Sequence, residues 1–147
     1  MNIHIIAVGK LKEDYLRGAQ KEYSKRLSRF CKLKITEVDE DINLEKEADR
    51  IRKALPANSH VTALAIEGKK YDSVGFARYL ENLMIRGKSD ISFIIGGSDG
   101  LDKSILSEAD SLLSMSDMTF PHQLARIILL EQIYRAFKII NNETYHK

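Results

Sequence analysis

Short apolar runs alternate with charged amphipathic stretches along the whole chain. Ile3 to Gly9, IHIIAVG, is nearly continuously apolar and predicts a buried strand. From Lys12 to Phe30, the residues Tyr15, Leu16, Ala19, Tyr23, Leu27 and Phe30 recur at helical spacing. Leu33 to Asp39, LKITEVD, alternates at period two and reads as a strand nearer an edge. Ile42 to Leu55 predicts a second helix that stops before Pro56. His60 to Gly68 predicts a buried strand. Ser73 to Ile85 predicts a helix with Phe76, Leu80 and Leu83 inward and Gly87 as its stop. ISFIIGG, Ile91 to Gly97, predicts a fourth strand, and Asp102 to Leu113 a short helix. Met115 to Phe120 reads as a fifth strand or an extended loop. Pro121 opens a last helix that runs to about Ile140.

This β-α alternation predicts an α/β fold: a mostly parallel sheet with helices on both faces. No repeat, low-complexity run or linker interrupts it, so residues 1–147 are expected to form a single domain. Ligands in open parallel sheets bind at the carboxyl ends of strands. That rule gathers Gly68, Gly96, Gly97 and the region after Ser114 on one rim.

The stretch IIGGSDGL, Ile94 to Leu101, ends a buried strand in backbone with little side chain. A tight turn explains it, and so does a ligand lying against the main chain. The spacing G-G-x-x-G is neither a P-loop nor a dinucleotide fingerprint. No HExxH, no Gly-x-Ser-x-Gly elbow and no paired cysteines occur, so no metal site is expected. The lone Cys31 reads as a half-buried apolar residue and suits a reducing compartment. No apolar run reaches the roughly 18 residues of a membrane span. The N-terminus reads as a first strand and not as a signal peptide.

The net charge of +2 is small, but Lys10 to Lys34 holds nine Lys or Arg against three acids. A basic face of this kind attracts phosphate backbones, and a solvated helix surface has the same composition. The last helix is apolar on most of its circumference, which suggests that a partner subunit covers one face. Arg126 and Arg135 read as rim or interface groups, with Glu131–Arg135 also spaced for an ion pair. His4 reads as structural, His60 as exposed, and His122 as a capping or packing residue beside the rim.

AVGK, IEGK, FIIGGSDGL, SMSDMTFPHQLARIILLEQIYRAFKI and the terminal YHK occur in this order. Together they resemble the ribosomal RNA large subunit methyltransferase H family, in the SPOUT class. The resemblance spans essentially the whole chain. It implies a cytoplasmic homodimer that uses S-adenosylmethionine to methylate N3 of a pseudouridine in 23S rRNA, on the large subunit or whole ribosome. It implies a C-terminal trefoil knot, which chain-path rules alone would exclude. Carried over, the cofactor positions are Leu64, Gly96, Met115, Ser116, Asp117, Met118, Thr119 and Phe120. The tail of one subunit is expected to complete the other's site, which makes Tyr145 and His146 catalytic candidates; Arg126 is a third, as a group that could stabilise negative charge on the target ring. His146 is the candidate base, Asp117 a weaker one, and Tyr145 a stacking platform for the target base. Two rivals remain: a non-catalytic ribosome-binding assembly factor with the same fold, and a flavodoxin-like nucleotide protein.

Overall fold

The computed structural model describes residues 1–147. Five parallel strands, β1 (Asn2–Val8), β2 (Lys32–Val38), β3 (His60–Lys70), β4 (Asp90–Ile95) and β5 (Ser111–Ser114), form one sheet in the order β2-β1-β4-β3-β5. The helices are α1 (Asp14–Leu27), α2 (Leu44–Ala54), α3 (Ser73–Ile85), α4 (Lys103–Glu108) and α5 (His122–Ile140). Alternation along β1 divides the core. Ile3 and Ile5 face α1, α3 and α5, whereas Ile6 and Val8 face α2 and α4. β2 is an edge strand, as its period-two pattern suggests.

One element differs from the pattern reading, and another takes the second of its two alternatives. Residues 111–114 form β5 and not the end of a helix. The adjacent pair Leu112-Leu113 suits either period, and tertiary pairing with β3 decides. Asp110 begins the strand by accepting from Val61 N at 2.8 Å and donating its own N–H to Val61 O. Met115 to Phe120 is an irregular loop, because β3 shifts register between Leu64 and Lys69 and offers no continuous ladder.

α5 lies between α1 and α3, and its burial is largely achieved within the chain: Leu129, Leu130, Ile133, Ala136 and Phe137 are all core residues. The chain leaving β5 at the far edge therefore crosses back past the β3-to-α3 connection to begin α5. Lys70 and Asp117, 2.6 Å apart, meet at that crossing.

Arg126 fixes where α5 begins. Its side chain is 1% exposed. It donates to Glu37 Oε2 at 2.7 Å, Gln20 Oε1 at 3.1 Å and Gly9 O at 3.1 Å, tying α5 to β2, α1 and the end of β1. Arg126 is thus a buried tie and not the rim, interface or substrate-facing group that the sequence suggested. His60 is likewise not free. Its Nε2 lies 3.1 Å from Tyr79 Oη and 3.2 Å from Ser111 Oγ. His4 Nε2 lies 2.8 Å from Thr36 Oγ1, in the structural role expected.

Replacing Arg126 with Leu should lower stability by about 2–4 kcal/mol, since Glu37, Gln20 and Gly9 O all lose a donor. Urea denaturation with an unchanged slope is the check. Burial lowers the pKa of both His4 and His60, with Lys34 adding to the effect at His4. The unfolded chain then binds more protons once pH falls below about 6.5. Stability from these neutral rings is complete above that value and is lost as pH drops. The urea midpoint should be lower at pH 5.5 than at pH 7.5, and the drop should shrink in His60→Gln.

Candidate active site

A cavity of about 840 Å³ opens at the carboxyl rim of β3, β4 and β5. That is within the roughly 300–1,000 Å³ of small-molecule sites. Three segments enclose it: the irregular part of β3 at Leu64 to Glu67, the glycine loop at Gly96 to Leu101, and the chain from Leu113 to His122. Leu64, Ile95, Leu101, Leu106 and Leu113 supply apolar wall, which suits a flat heterocycle. The loop after β5 supplies unused polar backbone. The N–H groups of Ser116, Asp117, Thr119 and Phe120 have no partner in the protein, and Met118 N donates to Ser116 Oγ at 3.0 Å. Main-chain donors beside an apolar slot can read the polar edge of a purine while the slot holds its faces. The residues present therefore fit a nucleoside-bearing methyl donor.

Gly96 has a different explanation from the one the sequence offers. A Cβ there would stand 2.9 Å from the carbonyl carbon and oxygen of Gly100 and 3.0 Å from Leu101 Cγ. The loop's own backbone occupies the space, with Gly97 and Gly100 bridged and Gly100 N donating to Gly97 O at 3.1 Å. The missing side chain lets the loop fold flat and present main chain to the cavity.

Of the cofactor positions carried over, Leu64, Gly96, Met115, Ser116, Met118, Thr119 and Phe120 line the cavity. Asp117 does not; its carboxylate is exposed and accepts from Lys70. The tail residues lie elsewhere. Tyr145 Oη donates to Glu131 Oε2 at 2.8 Å, its ring packs edge-on against Tyr134 at 4.9 Å, and Arg135 sits over it at 4.8 Å. Burial and the Glu131 contact raise the Tyr145 pKa, so the phenol stays a donor. Arg135 also meets His146 Nδ1 at 3.1 Å and pairs with Glu131 at 3.0 Å. Ten residues of helix separate Ala125 at the cavity from Arg135, about 15 Å of rise. The tail is tied down, but it does not reach the cavity of its own chain.

Two further residues of the site were undervalued by the sequence. His122 lines the cavity, and Glu40 lies close behind it. Only the position of His122 beside the rim hinted at this. Cys31 is no nucleophile: burial pushes its thiol up to about 11. No group of His, Cys, Asp and Glu is arranged to hold a metal ion.

The family described as predicted SPOUT methyltransferase matches residues 1–146. The chain belongs to the SPOUT methyltransferases. Curated relatives agree over their full length. The proteins named ribosomal RNA large subunit methyltransferase H are 54% identical in Ruminiclostridium cellulolyticum and 52% identical in Acetivibrio thermocellus. Each match covers 100% of both chains. A probable methylase family protein from Haemophilus influenzae shares the fold, with a TM-score of 0.59 at 15% identity, over 99% of this chain and 70% of its own. As a SPOUT methyltransferase the chain is an enzyme, and S-adenosylmethionine is its methyl donor.

Gly96→Ala should cost about 1–3 kcal/mol, because backbone must move to admit the methyl. Donor affinity should fall in the same variant. Loss of affinity in calorimetry with an unchanged urea midpoint would show that ligand, and not Gly100, fills the space.

Proposed function

We propose that the protein methylates N3 of a pseudouridine in 23S rRNA of the large ribosomal subunit, with S-adenosylmethionine as donor. The observation that carries this reading is the full-length match to relatives named ribosomal RNA large subunit methyltransferase H, joined to a rim cavity built from the positions expected to hold the donor. Leu64, Gly96, Met115, Ser116, Met118, Thr119 and Phe120 hold the adenosine, and Asp117 braces their loop through Lys70. A sulfonium is already a good electrophile, so the chain's task is to align the reactants, exclude water and accept the ring proton.

The working form is a homodimer of single-domain chains. Two α5 helices packed antiparallel would carry Tyr145, His146 and Lys147 of each chain to the start of α5 in the other, beside its cavity. Exposed Ile66 and Met118 at the cavity mouth, with exposed Leu124 in the first turn of α5, supply apolar surface for this contact. The crossing of residues 115–121 past the β3-to-α3 connection is where the trefoil knot closes. Lysines meet the RNA phosphates. Arg17, Arg26 and Arg29 are spent on Asp14, Glu22 and Glu143, whereas Lys10, Lys12, Lys21, Lys25, Lys32 and Lys34 are exposed and outside any ion pair. The enzyme acts in the cytoplasm, where ribosomes are its substrate.

The test is incubation of the dimer with large subunits and labelled S-adenosylmethionine, followed by mapping of the methyl group. Transfer to N3 of a 23S pseudouridine is expected. Binding of donor and ribosome without transfer would favour the assembly-factor reading. Charge reversal at Lys21 and Lys25 should weaken ribosome binding and leave donor affinity unchanged; equal loss of both in a folded dimer would overturn the assigned RNA face.

A further inference from the structure

Two buried side-chain nitrogens have no hydrogen-bond partner: Arg126 Nε and His122 Nε2. Burying a polar group without a partner is costly, and native structures keep few such groups. The His122 ring is one wall of the cavity, its side chain 25% exposed, while Nε2 itself is sealed. Nε2 faces Glu40 Oε1 at 4.0 Å, too far for a hydrogen bond and close enough for one after a small shift.

Backbone shape leaves room for the half-exposed Glu40 side chain there. Gly9 has φ +89°, and a Cβ on it would stand 2.6 Å from Glu40 Oε1. The carboxylate therefore occupies space that only glycine leaves open. Gly9 O is the same atom that accepts from Arg126 Nη2, and Arg126 is one helical turn after His122. One tie thus sets His122 and the Gly9 turn against which Glu40 rests. The other charged groups nearby are the Glu37–Arg126 pair, Asp99 and Glu67 on the cavity, Asp41 and Glu47 beside Glu40, and Lys12, whose backbone N–H donates to Gln123. Of the other candidate acceptors, Asp117 is bound to Lys70, and His146 lies at the far end of its own α5 and reaches a cavity only from a second copy, with its Nδ1 already facing Arg135.

An imidazole in a cavity with a carboxylate behind it is the arrangement of a general base and its orienting group. We propose that His122 is the proton acceptor of methyl transfer and that Glu40 positions it and balances its charge. This rests on the function proposed above. Glu40 favours the tautomer with hydrogen on Nε2, which leaves Nδ1 free to accept. The N3–H bond of the target ring breaks and its proton passes to Nδ1. The N3–methyl bond forms as the sulfur–methyl bond breaks, and the sulfonium becomes a neutral thioether. The imidazolium then closes onto Glu40.

Single-turnover methylation of large subunits tests this, with donor affinity measured in parallel. His122→Ala should slow transfer by about 100-fold or more, leave S-adenosylmethionine binding within about threefold, and recover in part with added imidazole. Glu40→Gln removes the charge that favours imidazolium, so the acid limb of its pH–rate profile should move to lower pH. A His122→Ala rate within about threefold of wild type would overturn the proposal. So would loss of rate explained wholly by loss of donor affinity, which would make His122 a donor-binding residue. If His122→Ala does not fold, Glu40→Gln decides, and an unmoved acid limb overturns the proposal. An inactive wild type in the same assay would take down the function as well, which separates the two failures.

Discussion

The buried Arg126 guanidinium is the contact on which the site depends. Three partners on three elements converge on it, and all three sit where β1 and β2 end and α1 passes. A buried ion pair is a poor source of net stability, because desolvation cancels much of the attraction. Its value is registration. An apolar side chain could fill the same volume, but it would leave the start of α5 free to slide along the sheet. With the guanidinium in place, His122 and Ala125 are set at the cavity wall and Gln123 reaches Lys12 N at 3.0 Å.

Much of this was legible in the chain. The period-two and period-3.6 patterns located most of the elements, because the two sheet faces bury different residues of the same strand, as Ile5 and Ile6 do. β5 was hidden because four residues are too few for a period to register, and its identity comes from pairing with β3. The rim was legible from the strand ends. The meaning of its groups was not. Arg126 looked like a surface charge because sequence gives a residue's type but not the polar atoms from 106 and 117 positions away that satisfy it. His122 looked like a packing residue for the converse reason: nothing in the chain reveals a partner that stops short at 4.0 Å.

α5 shows how a single inference can be right about burial and silent about its source. The helix is apolar on most sides, and α1 and α3 account for much of that cover. What points beyond one chain is the tail. Tyr145 and His146 are ordered by Glu131, Tyr134 and Arg135, yet they are held well away from the rim cavity of their own chain. Chain ends fray unless something tethers them. A tethered end with aromatic, imidazole and ammonium groups is a prepared surface.

The close approach of Gly100 to Gly96 has a consequence for how such a site can change over time. The cavity wall there is peptide backbone, so no point substitution can add or remove a functional group from it without displacing the loop. Variation must enter through side chains that border the space, such as Leu101, Leu106 and the exposed Met118. A small molecule that draws its affinity from the main chain of the glycine loop would face few escape routes by mutation, while one that leans on Met118 would face many.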